Sequence, residues 1–263
     1  MSLNNKSPLR YPGGKTRACK KLNEILLEYF NINNFENIIS PFLGGGSFEF
    51  YIQNKYNLNI IANDKFKPLY NFWIICKNDK KILCDKLYID INNITKEKFK
   101  QFKEQIINEL DILNIAYYYF IINRCSFSGS TLSGGFSLES SKKRFTKSSI
   151  DRINHLNLSN FNIYNYDFEP FINKYYNKDN SIIFLDPPYY IESKLYGNNG
   201  DLHEKFNHKL LFETIKDKKN WILTYNNCDY IKDIYKDFII IDTNWSYSMN
   251  KSKKSSEIVI ICI

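Results

Sequence analysis

Ile182-Ile183-Phe184-Leu185-Asp186-Pro187-Pro188-Tyr189 is the stretch on which the reading of the chain turns. Four consecutive apolar residues without polar alternation suit a strand covered on both faces, as in the interior of a parallel sheet. A carboxylate, two prolines and a tyrosine follow at once. The prolines stiffen the turn and remove two backbone donors, leaving carbonyls that point outward as acceptors. Ligands of open α/β sheets bind beyond the carboxyl ends of the strands, where this turn falls. Asp186 and the Pro187 carbonyl are suited to accept the two protons of an exocyclic amine, nudging its nitrogen towards sp³ geometry. Tyr189 offers a flat face for an extruded base. The same acceptors suit any exocyclic amine, so the turn alone does not choose the base.

Outward from this strand, similar apolar runs occur at 37–39, 60–62, 221–224, 238–241 and 258–263. Being continuous, they too read as buried parallel strands. Helical periodicity lies between them at 16–30, 47–56, 67–77, 111–122 and 208–216, with Ala18, Leu22, Ile25, Leu26 and Tyr29 on one face of the first. The alternation predicts a three-layer α/β fold. From 77 to 161 the strand signals fade and the chain is charged, polar and locally glycine-rich, too long for a simple loop. The expected organisation is therefore 1–76, an inserted smaller lobe at 77–161, and 162–263.

Pro41-Phe42-Leu43-Gly44-Gly45-Gly46-Ser47 joins the first strand to a helix. Glycines there let the backbone approach a ligand and aim helix N-terminal amides at it. The dinucleotide and Walker patterns are absent. About twenty residues on, Asp64 ends the next strand, where an acidic residue accepts from ribose hydroxyls. The loop alone is equally a tight glycine turn and Asp64 a helix cap; the paired spacing favours a nucleoside ligand. Upstream, Tyr11-Pro12-Gly13-Gly14-Lys15 forms another compact turn, with Lys15 placed to hold a carboxylate.

Lysine and arginine number 36 against 28 aspartates and glutamates, a surplus that suits a polyanionic partner. The abundance of Asn, Lys, Ile and Tyr is equally what an AT-rich genome produces. Six cysteines without a Cys-x-x-Cys pair and only three histidines argue against a metal site. No apolar run approaches the roughly 20 residues of a membrane-spanning helix, and no signal core precedes Pro8. A cytoplasmic location, in a compartment that contains DNA, is the expectation.

In order and type, these motifs resemble the Dam-type (D12 class, alpha-group) DNA adenine methyltransferases over nearly the whole chain. The resemblance implies a Rossmann-like S-adenosylmethionine-dependent methyltransferase fold, a mostly parallel sheet with an inserted DNA-recognition lobe. It implies S-adenosyl-L-methionine as cofactor, with Tyr11 and Lys15 at its methionine end, Phe42, Gly44 and Gly46 beneath it, and Asp64 on the ribose. Asp167 and Phe168 fall where the family contacts the cofactor's adenine, and Asp186 would touch both cofactor and target base. Pro12 stands where many relatives have alanine. The segments 195–197, 203–208, 221–227 and 245–247 also resemble the family and are expected to wall the base pocket.

Catalysis is thus assigned to Asp186, Pro187 and Tyr189, acting on an adenine flipped out of double-stranded DNA, by direct transfer and without metal. In the lobe, Arg124, Ser126, Phe127, Lys142, Lys143 and Arg144 are the expected DNA contacts: lysines for phosphates, arginines for guanine edges, Phe127 as a wedge. Lys251, Lys253 and Lys254 form a second basic run. A cytosine-ring methyltransferase needs a nucleophilic cysteine, typically after proline, and none of the six cysteines follows one. Cytosine 4-amino methylation, which commonly has Ser in place of Asp186, remains the alternative, as does an inactive DNA-binding relative. A restriction endonuclease is a possible functional counterpart; no stable protein partner and no membrane association are implied.

Overall fold

The computed structural model describes residues 5–11, 13–56, 58–177, 179–190, 206–244 and 256–263. Its centre is a seven-stranded sheet of β1 (Asn37–Ser40), β2 (Asn59–Asn63), β3 (Phe161–Tyr164), β4 (Ser181–Leu185), β5 (Trp221–Asn226), β6 (Ile239–Asn244) and β7 (Ser256–Cys262). The strand order is β3-β2-β1-β4-β5-β7-β6. Strands β1 to β5 run parallel. Strand β7 lies antiparallel between β5 and β6.

Two expectations are corrected here. The runs at 238–241 and 258–263 are strands, but antiparallel to their neighbours. A parallel return needs a crossover of a dozen or more residues, and only residues 245–255 separate β6 from β7. Continuous apolarity reports burial on both faces, not direction. Strand β3 escapes a search for apolar runs: Phe161-Asn162-Ile163-Tyr164 alternates buried and exposed at the sheet edge, so it has no continuous apolar stretch.

Both sheet faces are covered. Ile38, Ile60, Ile182, Phe184, Ile222, Val259 and Ile261 face one apolar layer together with α1 (Cys19–Tyr29), α2 (Ser47–Lys55) and α3 (Lys67–Asn78). Their chain neighbours Ile39, Ile183, Leu185, Leu223, Ile258 and Ile260 face the other, with α9 (Phe168–Tyr175), α10 (His208–Ile215) and α11 (Asp229–Ile234). Successive residues of a strand point to opposite faces, so each buried strand supplies both layers.

Residues 77–161 are helical: α4 (Lys80–Ile89), α5 (Lys96–Asn108), α6 (Ile112–Cys125), α7 (Leu138–Lys143) and α8 (Lys147–Asn154). Helix α6 is apolar nearly all round and carries the segment onto the body, its Phe120 stacked on Phe72 of α3 with ring centroids 5.7 Å apart. Burying one such ring contributes about 1.5–3 kcal/mol. The apolar layer under the sheet continues through Phe72 and Phe120 to Ile150 and Ile153 without interruption. The expected pocket segments 195–197, 203–205 and 245–247, Pro12, and the run Lys251, Lys253 and Lys254 lie outside the described residues.

Candidate active site

The carboxyl ends of the five parallel strands lie along one sheet edge, and β1 and β4 are hydrogen-bonded neighbours. From β1 the chain moves towards β2, and from β4 towards β5, which opens the crevice that α/β sheets use for ligands. Asp186 sits directly after β4 in that crevice. Its Oδ1 accepts from Lys15 Nζ at 2.7 Å and from Thr224 Oγ1 at 2.6 Å. Among the described residues, nothing donates to Oδ2 or to the Pro187 carbonyl. Lys15 is 3 % exposed and Asp186 21 %. Nζ also donates to the Gly13 carbonyl at 3.1 Å and lies 4.9 Å from the Tyr189 ring centroid. A buried ammonium held by a carboxylate, a carbonyl and an aromatic face is a paired charge, as burial requires.

After β1, the turn 41–46 wraps Asp64 at the end of β2. The Gly44 N–H donates to Asp64 Oδ2 and the Phe66 N–H to Oδ1, both at 2.9 Å. Burial pushes the Asp64 carboxyl up to about 6, against the pull of these two donors. Gly44 and Gly46 have φ of 49° and 67°, the left-handed region that favours glycine. A Cβ at Gly44 would stand 2.9 Å from the Tyr11 ring, so the backbone here is bare against an aromatic face. Trp73 Nε1 fixes the loop from below, donating to the Gly44 carbonyl at 3.0 Å. Asn63 ties the edge together, donating to the carbonyls of Pro41 and Tyr166 and accepting from the Tyr166 N–H.

Phe42, Phe168 and Phe206 form an aromatic trio with centroids 5.3–5.7 Å apart. Asp167 stands at the N-cap position of α9 beside them, without a side-chain capping hydrogen bond, and pairs with Lys65 at the surface. On the far side of Asp186, Tyr190 stacks on Tyr230 at 4.4 Å, and its carbonyl accepts from Asn226 Nδ2 at 2.7 Å. His208 Nδ1 and the Tyr225 hydroxyl are 2.6 Å apart. Tyr11, Lys15, Phe42, Gly44, Gly46, Asp64, Phe168, Asp186, Pro187 and Tyr189 thus line one sheet edge or the turns beside it. Reading by motif missed Asn63 as a strut, Trp73, Thr224 and Arg10. Thr224 had one signal: a hydroxyl directly after the apolar residues Trp221-Ile222-Leu223, in the strand beside the one that Asp186 follows.

The lobe residues divide. Phe127 is 70 % exposed in a short turn, 127–129, next to the bridge between Ser126 and Phe136. Lys142, Lys143 and Arg144 are exposed around the end of α7. Arg124 and Ser126 instead face inward. Arg124 Nε and Nη1 donate to the carbonyls of Arg144 (2.7 Å) and Pro8 (3.1 Å), and the Ser126 hydroxyl donates to the Asn123 carbonyl while accepting from the Thr131 N–H. Burial beside Arg10, Arg152 and Arg144 lowers the proton affinity of Arg124, which still stays charged at neutral pH. The Arg124 guanidinium thus ties α6 to the segments at Arg144 and Pro8. Asn123 is fully buried and clasps Arg10, accepting from its N–H at 2.9 Å and donating to its carbonyl at 2.7 Å. The turn 11–15 is thereby tied to the lobe.

A mostly parallel seven-stranded sheet with an antiparallel strand inserted near one edge, and its site at the β1/β4 crevice, defines the class as a Rossmann-like methyltransferase fold. The chain belongs to the D12 class N6 adenine-specific DNA methyltransferases: that family's model matches residues 11–249. It is similar to the type II methyltransferase M.MjaIII of Methanocaldococcus jannaschii, 26 % identical over 199 residues, covering 69 % of this chain and 68 % of that protein. It is also similar to the type II methyltransferase M.CviBI of Paramecium bursaria Chlorella virus NC1A, 22 % identical over 252 residues, covering 88 % and 86 %. The protein is accordingly an enzyme, an adenine-specific DNA methyltransferase, and its reaction needs a methyl donor.

Proposed function

We propose that the enzyme takes its methyl group from S-adenosyl-L-methionine and transfers it directly to the 6-amino group of an adenine flipped out of double-stranded DNA. The observation that carries this reading is the state of Asp186: Oδ1 is fixed by Lys15 and Thr224, and Oδ2 has no donor among the described residues. A carboxylate so oriented presents one aimed acceptor. Oδ2 and the Pro187 carbonyl would accept hydrogen bonds from the two amino N–H groups, leaving the nitrogen lone pair free for the methyl group that the cofactor would supply. The proton shed once the new N–C bond has formed is taken up at Oδ2. Tyr189 supports the face of the base.

The crevice fits the cofactor by its donor set. Asp64 offers a buried carboxylate to the ribose hydroxyls, Lys15 an ammonium and Tyr11 a ring to the methionine end. Gly44 and Gly46 offer bare backbone, and Phe42 and Phe168 offer flat faces near Asp167 for the adenine. When bound, S-adenosyl-L-methionine would supply an electrophilic methyl group on a sulfonium, whose S–C bond breaks as the N–C bond forms and whose sulfur leaves as a neutral thioether. Residues 77–161 act as the target-recognition lobe between the cofactor part (1–76) and the catalytic part (162–263). Phe127 is its wedge, and Lys142, Lys143 and Arg144 take phosphates, with Arg124 holding the Arg144 carbonyl and Ser126 fixing the turn that carries Phe127. The type II naming of both relatives supports a restriction-modification role, which would pair the enzyme functionally with an endonuclease. Among the described residues no helix is long and apolar enough to cross a membrane. Two duplexes test donor and flipping: one with adenine at the target position, incubated with methyl-labelled S-adenosylmethionine, and one with 2-aminopurine at that position, which lacks the 6-amino group and reports flipping by fluorescence. Label in the adenine duplex and a rise in fluorescence of the 2-aminopurine duplex are expected; transfer to the first without any fluorescence change in the second would refute flipping.

A further inference from the structure

Glu49 stands in the first turn of α2, 2 % exposed, and plays no part in the chemistry described so far. Its Oε1 accepts from Ser40 Oγ at 2.5 Å. Ser40 closes β1, the strand paired with β4, and Asp186 follows β4 directly. The beginnings of α1 and α2 are laced together on the same side. Thr16 Oγ1 and Ser47 Oγ are 3.0 Å apart, and the Cys19 thiol donates to the carbonyls of Lys15 (3.2 Å) and Ser47 (3.4 Å). Phe48, next to Glu49, packs on Phe184 with centroids 4.4 Å apart. These ties hold a buried carboxyl group near enough to the Lys15–Asp186 pair to feel both charges, at a position where an apolar side chain would cost nothing to bury.

Burial pushes Glu49 up to about 7; the Ser40 hydrogen bond opposes that rise, the charge of Asp186 adds to it, and Lys15 reduces it. Among the described residues, the titratable groups facing Glu49 are therefore Lys15 just before α1, Cys19 at its first position, and Asp186 directly after β4. Burial and the nearby Glu49 push the Cys19 thiol up to about 12, so it stays neutral. Strands β1 and β2 contribute no ionisable side chain.

We propose that Glu49 is a positioning residue for methyl transfer, acting through Lys15 on the charge that Asp186 offers to the amino group. Ionised, Glu49 competes for the ammonium of Lys15, and more of the negative charge of Asp186 is left for the amine as positive charge develops there. Protonated, it no longer competes with Asp186 for Lys15. Transfer is therefore faster above the Glu49 transition than below it. The inference rests on the reading that Asp186 receives the amino protons.

Single-turnover transfer rates between pH 5.5 and 9, at saturating cofactor and DNA, test it in the wild type, Glu49→Gln and Ser40→Ala. The wild type should rise about three- to ten-fold through one inflection near neutrality, a coupling of up to one pKa unit. Glu49→Gln should lose the inflection and stay at the low-pH plateau, with cofactor KM little changed. Ser40→Ala, which removes the hydrogen bond that favours the charged form, should move the inflection to higher pH. An inflection that survives in Glu49→Gln, or that Ser40→Ala leaves in place, overturns the proposal. Should Glu49→Gln fail to fold, the Ser40→Ala shift and direct carbon-13 titration of Glu49 in the wild type decide. Asp186→Ala at pH 9 tests the reading of Asp186 separately: if it abolishes transfer while the wild type forms N6-methyladenine, a missing pH effect counts against Glu49 alone.

Discussion

Asp186→Ala should damage the fold as well as the reaction, because Asp186 neutralises an ammonium that water hardly reaches. Breaking a fully buried pair by removing one partner costs about 3–5 kcal/mol, mostly for the charge left behind. Two features reduce that here. Asp186 is itself 21 % exposed, and Lys15 keeps the Gly13 carbonyl at 3.1 Å and the Tyr189 face at 4.9 Å. The expected loss is therefore about 2–3 kcal/mol, which for a chain of this size lowers the melting temperature by about 4–10 °C. Asp186→Asn, which keeps an oxygen at Oδ1 for Thr224, should lose less, and Lys15→Met should cost about 1 kcal/mol because the carboxylate retains Thr224 and some solvent. Urea unfolding of the three variants, read by tryptophan fluorescence, gives the ranking. If Asp186→Ala unfolds within about 0.5 kcal/mol of the wild type, Lys15 has other means of neutralisation and the pair is not what fixes the carboxylate.

Other consequences are measurable. Asn123→Ala removes both clasps on Arg10 and leaves two backbone groups unpaired, for an expected loss of about 2–4 kcal/mol with weaker cofactor binding; denaturant midpoints and cofactor titration check this. Asp64, raised by burial to about 6, must be ionised to accept from both ribose hydroxyls. Protonation is favoured as pH falls, so cofactor affinity should drop about ten-fold between pH 7 and pH 5, and calorimetry at the two values reads it. Replacing Lys142, Lys143 and Arg144 singly with Gln should lower the salt slope of DNA binding by about 0.9 for each phosphate no longer neutralised, while Arg124→Gln should chiefly destabilise the protein. Phe127→Ala should leave cofactor affinity unchanged and reduce the 2-aminopurine signal of flipped DNA.

The sequence carried the site better than the lobe, for physical reasons. Turns at the ends of parallel strands are built from special residues, such as the prolines after Asp186 and the glycines at 44 and 46, and their chemistry shows locally. Strand direction does not: the run Ile258–Ile263 is as apolar as Ile182–Leu185, and only the short span from β6 to β7 betrays an antiparallel return. Edge strand β3 was hidden because one exposed face breaks its apolar run. In the lobe, Arg124 and Arg144 look alike in sequence, but α6 turns the first inward onto the Pro8 and Arg144 carbonyls while the second stays at the surface. A long-range partner such as Asn123 for Arg10 has no local signature at all, and Thr224 shows only as a hydroxyl among apolar neighbours. Glu49 is a similar case, an ordinary helix residue until Ser40 and the Lys15–Asp186 pair are seen near it.

The central claim is that Asp186 and the Pro187 carbonyl prepare the 6-amino group of adenine for transfer. Its most direct test is to incubate the wild type and Asp186→Ala with labelled S-adenosylmethionine and duplex DNA of varied sequence, digest to nucleosides and identify the labelled product. The account predicts N6-methyladenine from the wild type and none from Asp186→Ala, with DNA binding retained. Label in 4-methylcytosine, or transfer undiminished in Asp186→Ala, would contradict it.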